Sequence, residues 1–331
     1  MAVTLREVAE RAGVSRSAVS RTYTDGASVS AKTREKVEQA AADLGYSPNV
    51  LASSLTTGRT KLVGLVSDNF RNPVFLEVFD LYTKGLQDRG LRPLLVNLSD
   101  ETEPDNAIRL MKQYSVDAVI VASSTLPPSF AQEFQDAGMP VVHSFGRLAK
   151  KPRVHVVGID NSAAGRLAAR TLIERGYRHI AMMAGPETAT TTQDRLAGFL
   201  SVCGKHPELQ VSHSFADAYS FDAGRSEMLR LLADNPAEAY FCGDDVLSIG
   251  ALSAAKERGL RVPEDLGLIG VNDMEMSRWQ NINLTSIRNP LPEIVETSLD
   301  LVDRMLASPD FPAEAHRLDT ALVERGTLRS R

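Results

Sequence analysis

The sequence predicts a small all-α helix-turn-helix head followed by an α/β body of two Rossmann-like lobes with parallel sheets. Three observations carry that prediction. Near the N-terminus, apolar residues recur at helical spacing and are interrupted by a glycine, the pattern of two helices joined by a tight turn. From Lys61 onward, short apolar runs alternate with amphipathic segments, as parallel sheets covered by helices require. The runs are too many for one sheet and the βαβα pattern occurs in both halves, so two lobes are expected.

In the head, Thr4 precedes Leu5-Arg6-Glu7 and forms a capping box with Glu7. Leu5, Val8, Ala9 and Ala12 fall on one helical face, and Gly13 ends that helix. Ser15 is the candidate N-cap of a second helix over about Arg16–Tyr23. This helix turns Ala18 and Val19 inward and Arg16, Ser17, Ser20 and Arg21 outward. Asp25-Gly26 marks a turn. Ser30 opens a third helix with Val37, Ala40, Ala41 and Leu44 on its inner face, ended by Gly45. Residues Tyr46–Thr60 cannot form a core of their own and read as a linker with one short helix over about Asn49–Leu55.

In the body, strand-like runs occur at Leu62–Val66, Leu94–Leu98, Ala118–Ala122, Val141–Ser144, Val154–Ile159, Ile180–Ala184, Val211–Phe215, Ala239–Cys242 and Leu266–Val271. Helices fall between most of them, for example Phe75–Arg89, Ala163–Arg175 and Ile249–Arg258. The first crossing between lobes is expected near Val154–Asp160.

The chain has 331 residues, 43% hydrophobic and 24% charged, a soluble globular balance. Its apolar runs are shorter than the roughly 20 residues a bilayer crossing needs. The charged N-terminus lacks the apolar core of a secretory signal, so a cytoplasmic location is expected. Cys203 and Cys242 give no disulfide framework. Met1–Lys61 carries nine basic and six acidic residues, a charge of +3, against −8 for the remainder. A basic head on an acidic body fits a nucleic-acid binder. No P-loop, HExxH, GxSxG or strand-following GxGxxG is present, so neither an enzyme nor a cofactor is expected. Cys203 and His206 have a spacing that suits a metal but no second pair of ligands, so no metal site is expected.

The second helix of such a motif enters the major groove with its N-terminal side chains against base edges. Arg16, Ser17 and Arg21 are placed for this, and a bidentate arginine–guanine pair contributes about 1–3 kcal/mol of discrimination. The alternative is a small helical bundle with solvated arginines.

The stretch TLREVAERAGVSRSAVSRTYTDGASVSAKTREKVEQAAADLGYSPNVLASSL resembles the DNA-binding head of the lactose-repressor (LacI/GalR) transcription regulators. The likeness continues through GRTKLVGLV, GIDNSAAGRLAARTLIERGYRHIAMMAGP, DRLAGF, ALSAAKERGLRVPEDLGLIGVND and LTSIRNP, in family order and spacing. It implies base reading by Arg16, Ser17 and Arg21, and phosphate contacts from Thr4, Ser15, Ser20 and Thr33. It also implies a hinge helix bearing Asn49 and Ala52, with Leu55 as the wedge that kinks the minor groove. Ser53 and Thr56 replace basic residues common in the family, which predicts a shallower salt dependence.

The body resembles type I periplasmic-binding-protein-like lobes, with a pocket between them at the carboxyl ends of the strands. Position by position, the resemblance implies ligand contacts from Phe75, Phe145, Asp160, Thr191, Arg195, Tyr219, Asp244, Asn272 and Asn289. Asp160 and Asp244 accept hydroxyl donors, Arg195 donates to vicinal oxygens, and the aromatics cover a sugar face. Each has a structural alternative: Arg195 as an interlobe salt-bridge partner, Asp160 as a helix N-cap, Phe75 and Phe145 as core. The family often has Asn at position 244 and Asp at 272, so the carboxylate has changed sides.

The expected organisation is a DNA-binding domain at 1–47, a hinge at 48–60 and an effector-binding and dimerisation domain at 61–331. Its lobes are expected at 61–159 with 290–318, and at 160–289 with 319–331. The expected function is a repressor binding a near-palindromic DNA operator as a homodimer, responding to a sugar-like effector, without membrane contact. The alternatives are a solute-binding protein of sugar uptake and a sugar-processing enzyme.

Overall fold

The structure, a computed structural model, describes residues 3–24, 26–47, 54, 58–98, 105–308 and 311–330. They divide into two units, Met1–Lys61 and Leu62–Arg331.

The first unit holds α1 (Leu5–Ala12), α2 (Arg16–Thr22) and α3 (Ala31–Leu44). The capping box forms: the Glu7 backbone N–H donates to Thr4 Oγ1 at 3.4 Å, and the Thr4 N–H donates to Glu7 Oε2 at 2.7 Å. Gly13 ends α1 at φ 65°, a left-handed conformation glycine adopts without strain. Val8, Ala9, Val19, Val37, Ala40 and Ala41 close the core. Thr22, which the apolar pattern passes over, is buried too. Its Oγ1 donates to the Ala18 carbonyl at 2.9 Å, and its own carbonyl accepts from Arg34 Nη1 at 2.9 Å, tying α3 to the end of α2. Thus α2 stops at Thr22, one residue short of the expected Tyr23. The expected contact residues Asn49, Ala52 and Leu55 lie outside the described residues.

The second unit runs β1 (Leu62–Ser67), α4 (Val74–Asp88), β2 (Arg92–Asn97), α5 (Asp105–Gln113), β3 (Ala118–Ala122), α6 (Pro128–Asp136), β4 (Val141–Ser144) and β5 (His155–Ile159). It continues with α7 (Asn161–Glu174), β6 (His179–Ala184), α8 (Thr190–Cys203), β7 (Gln210–Phe215), α9 (Phe221–Ala233), β8 (Ala239–Cys242), α10 (Asp245–Glu257), β9 (Gly267–Asn272) and β10 (Ser286–Arg288). Last come α11 (Leu291–Ala307), β11 (Ala315–Leu318) and β12 (Ala321–Val323).

Two six-stranded sheets result, in the orders β11-β5-β4-β3-β1-β2 and β12-β10-β9-β8-β6-β7. Among the described residues every pairing is parallel except β10 with β12. Strands β3, β5 and β9 are buried along their whole length, which is why they read as near-continuous apolar runs. The edge strand β2 starts two residues earlier than its apolar run suggested.

The chain crosses between sheets after β5, after β10 and after β11. At the second crossing α11 returns to the first sheet, where Leu291, Ile294, Val295, Leu299 and Val302 join its core with Val63, Leu65 and Tyr82. Arg89, at the end of α4, fastens this helix by donating to Glu296, Asp300 and Asp303. In the second lobe α7 and α8 cross at glycines. A Cβ on Gly165 would lie 2.0 Å from the Arg195 carbonyl, and one on Gly198 would lie 2.0 Å from that of Ser162. This close approach brings the Arg195 side chain onto the start of α7.

Candidate functional site

On the head, Ser15 caps α2 by accepting the Ala18 N–H at 3.2 Å. The packing that buries Val19 and Thr22 turns Arg16, Ser17, Ser20 and Arg21 outward, all exposed. Arg21 Nε donates to the Ser17 carbonyl at 3.3 Å, and Ser15 and Ser17 share a hydroxyl hydrogen bond of 3.0 Å. Neither Arg16 nor Arg21 pairs with a carboxylate among the described residues, so both guanidinium groups keep donors for an outside acceptor. Thr4 and Ser30 are engaged as caps. Thr33, half-buried, shares a 2.8 Å hydroxyl hydrogen bond with Ser30.

In the second unit, Phe75, Phe145, Arg195, Asp244, Asn272 and Asn289 come together around one small cavity of about 20 Å³, completed by Val74, Val78, Ser124 and Leu291. The apolar side belongs to the first lobe, where the Phe75 and Phe145 rings meet edge to face at 5.9 Å. The polar side belongs to the second. Arg195, 4% exposed, donates from Nε to Asn161 Oδ1 at 2.8 Å and from Nη1 to the Gly243 carbonyl at 2.6 Å. Asp244 caps α10, its Oδ1 accepting the Val246 N–H at 2.9 Å, so the helix begins four residues before the expected Ile249. Its Oδ2 accepts from Asn72 at 2.9 Å and from Asn272 at 2.8 Å. Burial pushes the Asp244 carboxyl above its ordinary range, and these hydrogen bonds and the Arg195 charge oppose that shift.

Asn289 donates to Asn272 Oδ1 at 3.2 Å, while its own Oδ1 is buried without a partner among the described residues. Phe145 and Asn272 hold φ of 66° and 117°, strained positions for side-chain-bearing residues. Next to Asp244 in the chain, the buried Asp245 accepts from Ser286, Ser277 and the Met274 N–H at 2.6, 2.7 and 3.0 Å. Desolvation pushes its carboxyl up to about 7.

Three expected ligand residues do not line this cavity. Asp160 caps α7, its Oδ1 accepting the Ala163 N–H at 2.8 Å, with Arg166 beside its other oxygen at 3.4 Å. It borders a wider opening of about 670 Å³ along with Arg147, Asn161, Asp194 and Arg317. Thr191 and Tyr219 are buried and bond within the second lobe, the Tyr219 hydroxyl sharing hydrogen bonds with Thr192 at 2.8 Å and Thr191 at 3.3 Å. Sequence reasoning missed Asn72, Asn161 and Asp245. Asn72-Pro73 before an amphipathic helix was the available signal for the first.

Cys203 and Cys242 are free and buried, their thiols pushed up by desolvation to about 11 and about 12. His206 pairs with Glu208 at 3.0 Å. Among the described residues no group of three or more His, Cys, Asp and Glu is placed to hold a metal, and no helix is long and apolar enough to cross a membrane.

The family model for bacterial regulatory proteins of the lacI family matches residues 4–49, and that for a periplasmic binding protein-like domain matches residues 169–328. The HTH-type transcriptional repressor PurR of Escherichia coli O139:H28 (strain E24377A / ETEC) is 33% identical, with 98% of this chain and 96% of that protein aligned. PurR of Shigella boydii serotype 18 (strain CDC 3083-94 / BS512) matches to the same extent, at 33% identity over 98% of this chain and 96% of that one. Among solved structures, the lac repressor dimer bound to operator and the anti-inducer ONPF superposes with a TM-score of 0.88 at 25% identity, covering all of both chains. A complex of the transcriptional regulator CelR with cellobiose gives 0.71 at 30% identity, covering 98% of this chain and 99% of that one.

Proposed function

The chain belongs to the lacI family of bacterial regulatory proteins, and on that premise we propose that it is a DNA-binding transcriptional repressor whose operator affinity responds to a small effector. The observation that carries this reading is α2. Its inner face is closed by Val19 and Thr22, its start is capped by Ser15, and its outer face offers Arg16, Ser17, Ser20 and Arg21 without carboxylate partners among the described residues. A helix so presented fits the major groove, with arginines reaching base edges. Thr4, Ser15, Ser20 and Thr33 serve phosphates in this reading, and residues 48–60 supply the hinge with Asn49, Ala52 and Leu55. The relatives are repressors rather than enzymes.

The operator is near-palindromic and two copies of the chain read its half-sites, as two-fold assemblies do. The lac repressor neighbour, described as a dimer on its operator, supports this. Binding to DNA sets the working location in the cytoplasm. The effector site is the cleft of Arg195, Asp244, Asn272, Asn289, Phe75 and Phe145. Two facing aromatics opposite a guanidinium, a carboxylate and two amides suit a small polyhydroxylated molecule such as a sugar. The cellobiose-bound neighbour is in keeping with that class. Asp160, Thr191 and Tyr219 act behind the site as cap and scaffold.

A mobility-shift titration on DNA upstream of the protein's own gene tests the reading. A salt-sensitive complex that outcompetes random duplex is expected; equal affinity for both eliminates it. A thermal-shift screen of sugars and polyols identifies the effector class, because a bound ligand raises the melting temperature by mass action.

A further inference from the structure

Asn72 lies in the turn between β1 and α4 of the first lobe and is 3% exposed. Its Oδ1 accepts the Val74 N–H at 3.3 Å, which orients the carboxamide. The amide nitrogen donates across the cleft to Asp244 Oδ2 in the second lobe at 2.9 Å. The two residues stand 172 apart in the chain. With Asn272 on the same oxygen and the Val246 N–H on the other, the Asp244 carboxylate is satisfied by the protein itself. The cavity left beside it, about 20 Å³, has room for one water. Asn289 Oδ1, in that wall, has no donor among the described residues. A second contact joins the lobes nearby: Arg147 of the first forks onto Asp194 of α8, with both bonds at 2.8 Å.

An effector that fills a sugar-sized site needs far more space than one water, and it needs Asp244. We propose that Asn72 is a built-in stand-in for the effector: its carboxamide latches Asp244 and holds the two lobes together across the cleft. An effector enters only by displacing that amide and handing Asp244 a donor in its place. Asn72 thereby sets the threshold for response, because every ligand pays the cost of breaking the latch as a fraction of its intrinsic affinity. The proposal rests on the reading of this cleft as the effector site.

The test needs no effector. Nitroxide labels at Ser129→Cys on α6 and Ser226→Cys on α9, both exposed positions on opposite lobes, report the interlobe distance in the full chain. The native cysteines are buried, and dilution into unlabelled chain leaves only intrachain pairs. Pulsed electron–electron double resonance is expected to give one narrow distribution for the otherwise unaltered chain. Asn72→Asp, measured at alkaline pH so that the facing carboxyls do not share a proton, sets two carboxylates against each other and is expected to move the distribution to longer distances. Adding Asp244→Asn rebuilds an amide–carboxylate pair with the roles exchanged, the Asn272 and Asn289 amides turning over so that each donor again meets an oxygen, and is expected to return it to the starting distance. An unchanged distribution in Asn72→Asp, or no return in the exchanged pair, overturns the latch. Neither DNA nor small molecule is present, so a failed effector screen leaves this result standing, and a failed latch leaves the effector reading to its own titration.

Discussion

Replacing Arg195 by methionine keeps an unbranched side chain and removes the guanidinium. In the folded chain that group gives Asn161 Oδ1 a bond of 2.8 Å and the Gly243 carbonyl one of 2.6 Å, both fully buried. Hydrogen bonds from a charged donor contribute about 1.5–3 kcal/mol each, so about 3–6 kcal/mol is at stake. Releasing a buried charge returns part of this. A net loss of about 2–4 kcal/mol is expected, a large share of the 5–15 kcal/mol typical of folded domains. The chain has a single tryptophan, Trp279, which lies in the same lobe, so urea denaturation followed by its fluorescence reads the right part of the molecule. Chain concentration is held fixed to keep assembly constant. A cycle with Asn161→Ala isolates the pair, with a coupling of about 1.5–3 kcal/mol expected. A loss below about 1 kcal/mol together with zero coupling would refute the claim that Arg195 is clamped for use in the cleft.

Other perturbations follow from the same geometry. Arg21→Ala is expected to weaken specific operator binding by about 1–3 kcal/mol, roughly 5–150-fold, and to leave random-duplex binding nearly unchanged; fluorescence anisotropy distinguishes this from a uniform loss, which would make Arg21 a phosphate contact only. Gly198→Ala drives a Cβ to 2.0 Å from the Ser162 carbonyl, so α7 and α8 must part. A cost of about 1–3 kcal/mol or more is expected by thermal melting, with effector response lost alongside. The Asp245 carboxyl is raised from its ordinary 3.8 to about 7, so its folded form retains a proton that the unfolded chain releases. Its contribution is therefore greatest below pH 3.8 and is lost as the pH climbs through about 7. Asp245→Asn is expected to flatten that part of the stability profile; parallel profiles for the two chains would contradict it.

The head was almost wholly legible, because its signals are local. The Thr4–Glu7 box, the left-handed Gly13 and the Ser15 cap each sit within a few residues of what they control. Thr22 escaped because its burial depends on Arg34 reaching back from α3. In the body, the buried strands announced themselves by near-continuous apolar runs. The three-residue β10 and β12 carry too few residues for a pattern, and β11, AHRL, alternates exposed and half-buried positions without an apolar run; neighbouring strands recruit them. The cleft was legible by type more than by geometry. Six of the nine expected residues meet at one cavity. Asp160 reads from sequence as a ligand residue with a helix cap as the alternative, and the Ala163 N–H takes it as a cap. For Asn72 the Asn-Pro step before α4 marks a turn but not a partner, since Asp244 arrives from the opposite lobe. Asp245 sits beside a residue of the same type, and only the fold shows that Asp244 turns to Asn72 and Asn272 while Asp245 turns to Ser277 and Ser286.

The claim that cleft and head belong to one regulatory device is tested most directly by measuring operator affinity with the cleft empty and with it saturated by a compound from the thermal-shift screen. A coupling of about 1–3 kcal/mol is expected, a change of roughly 5–150-fold, and the compound's own affinity must change by the same factor when operator is bound. Operator affinity that is identical in both states, for a compound whose binding Arg195→Met abolishes, would contradict the account.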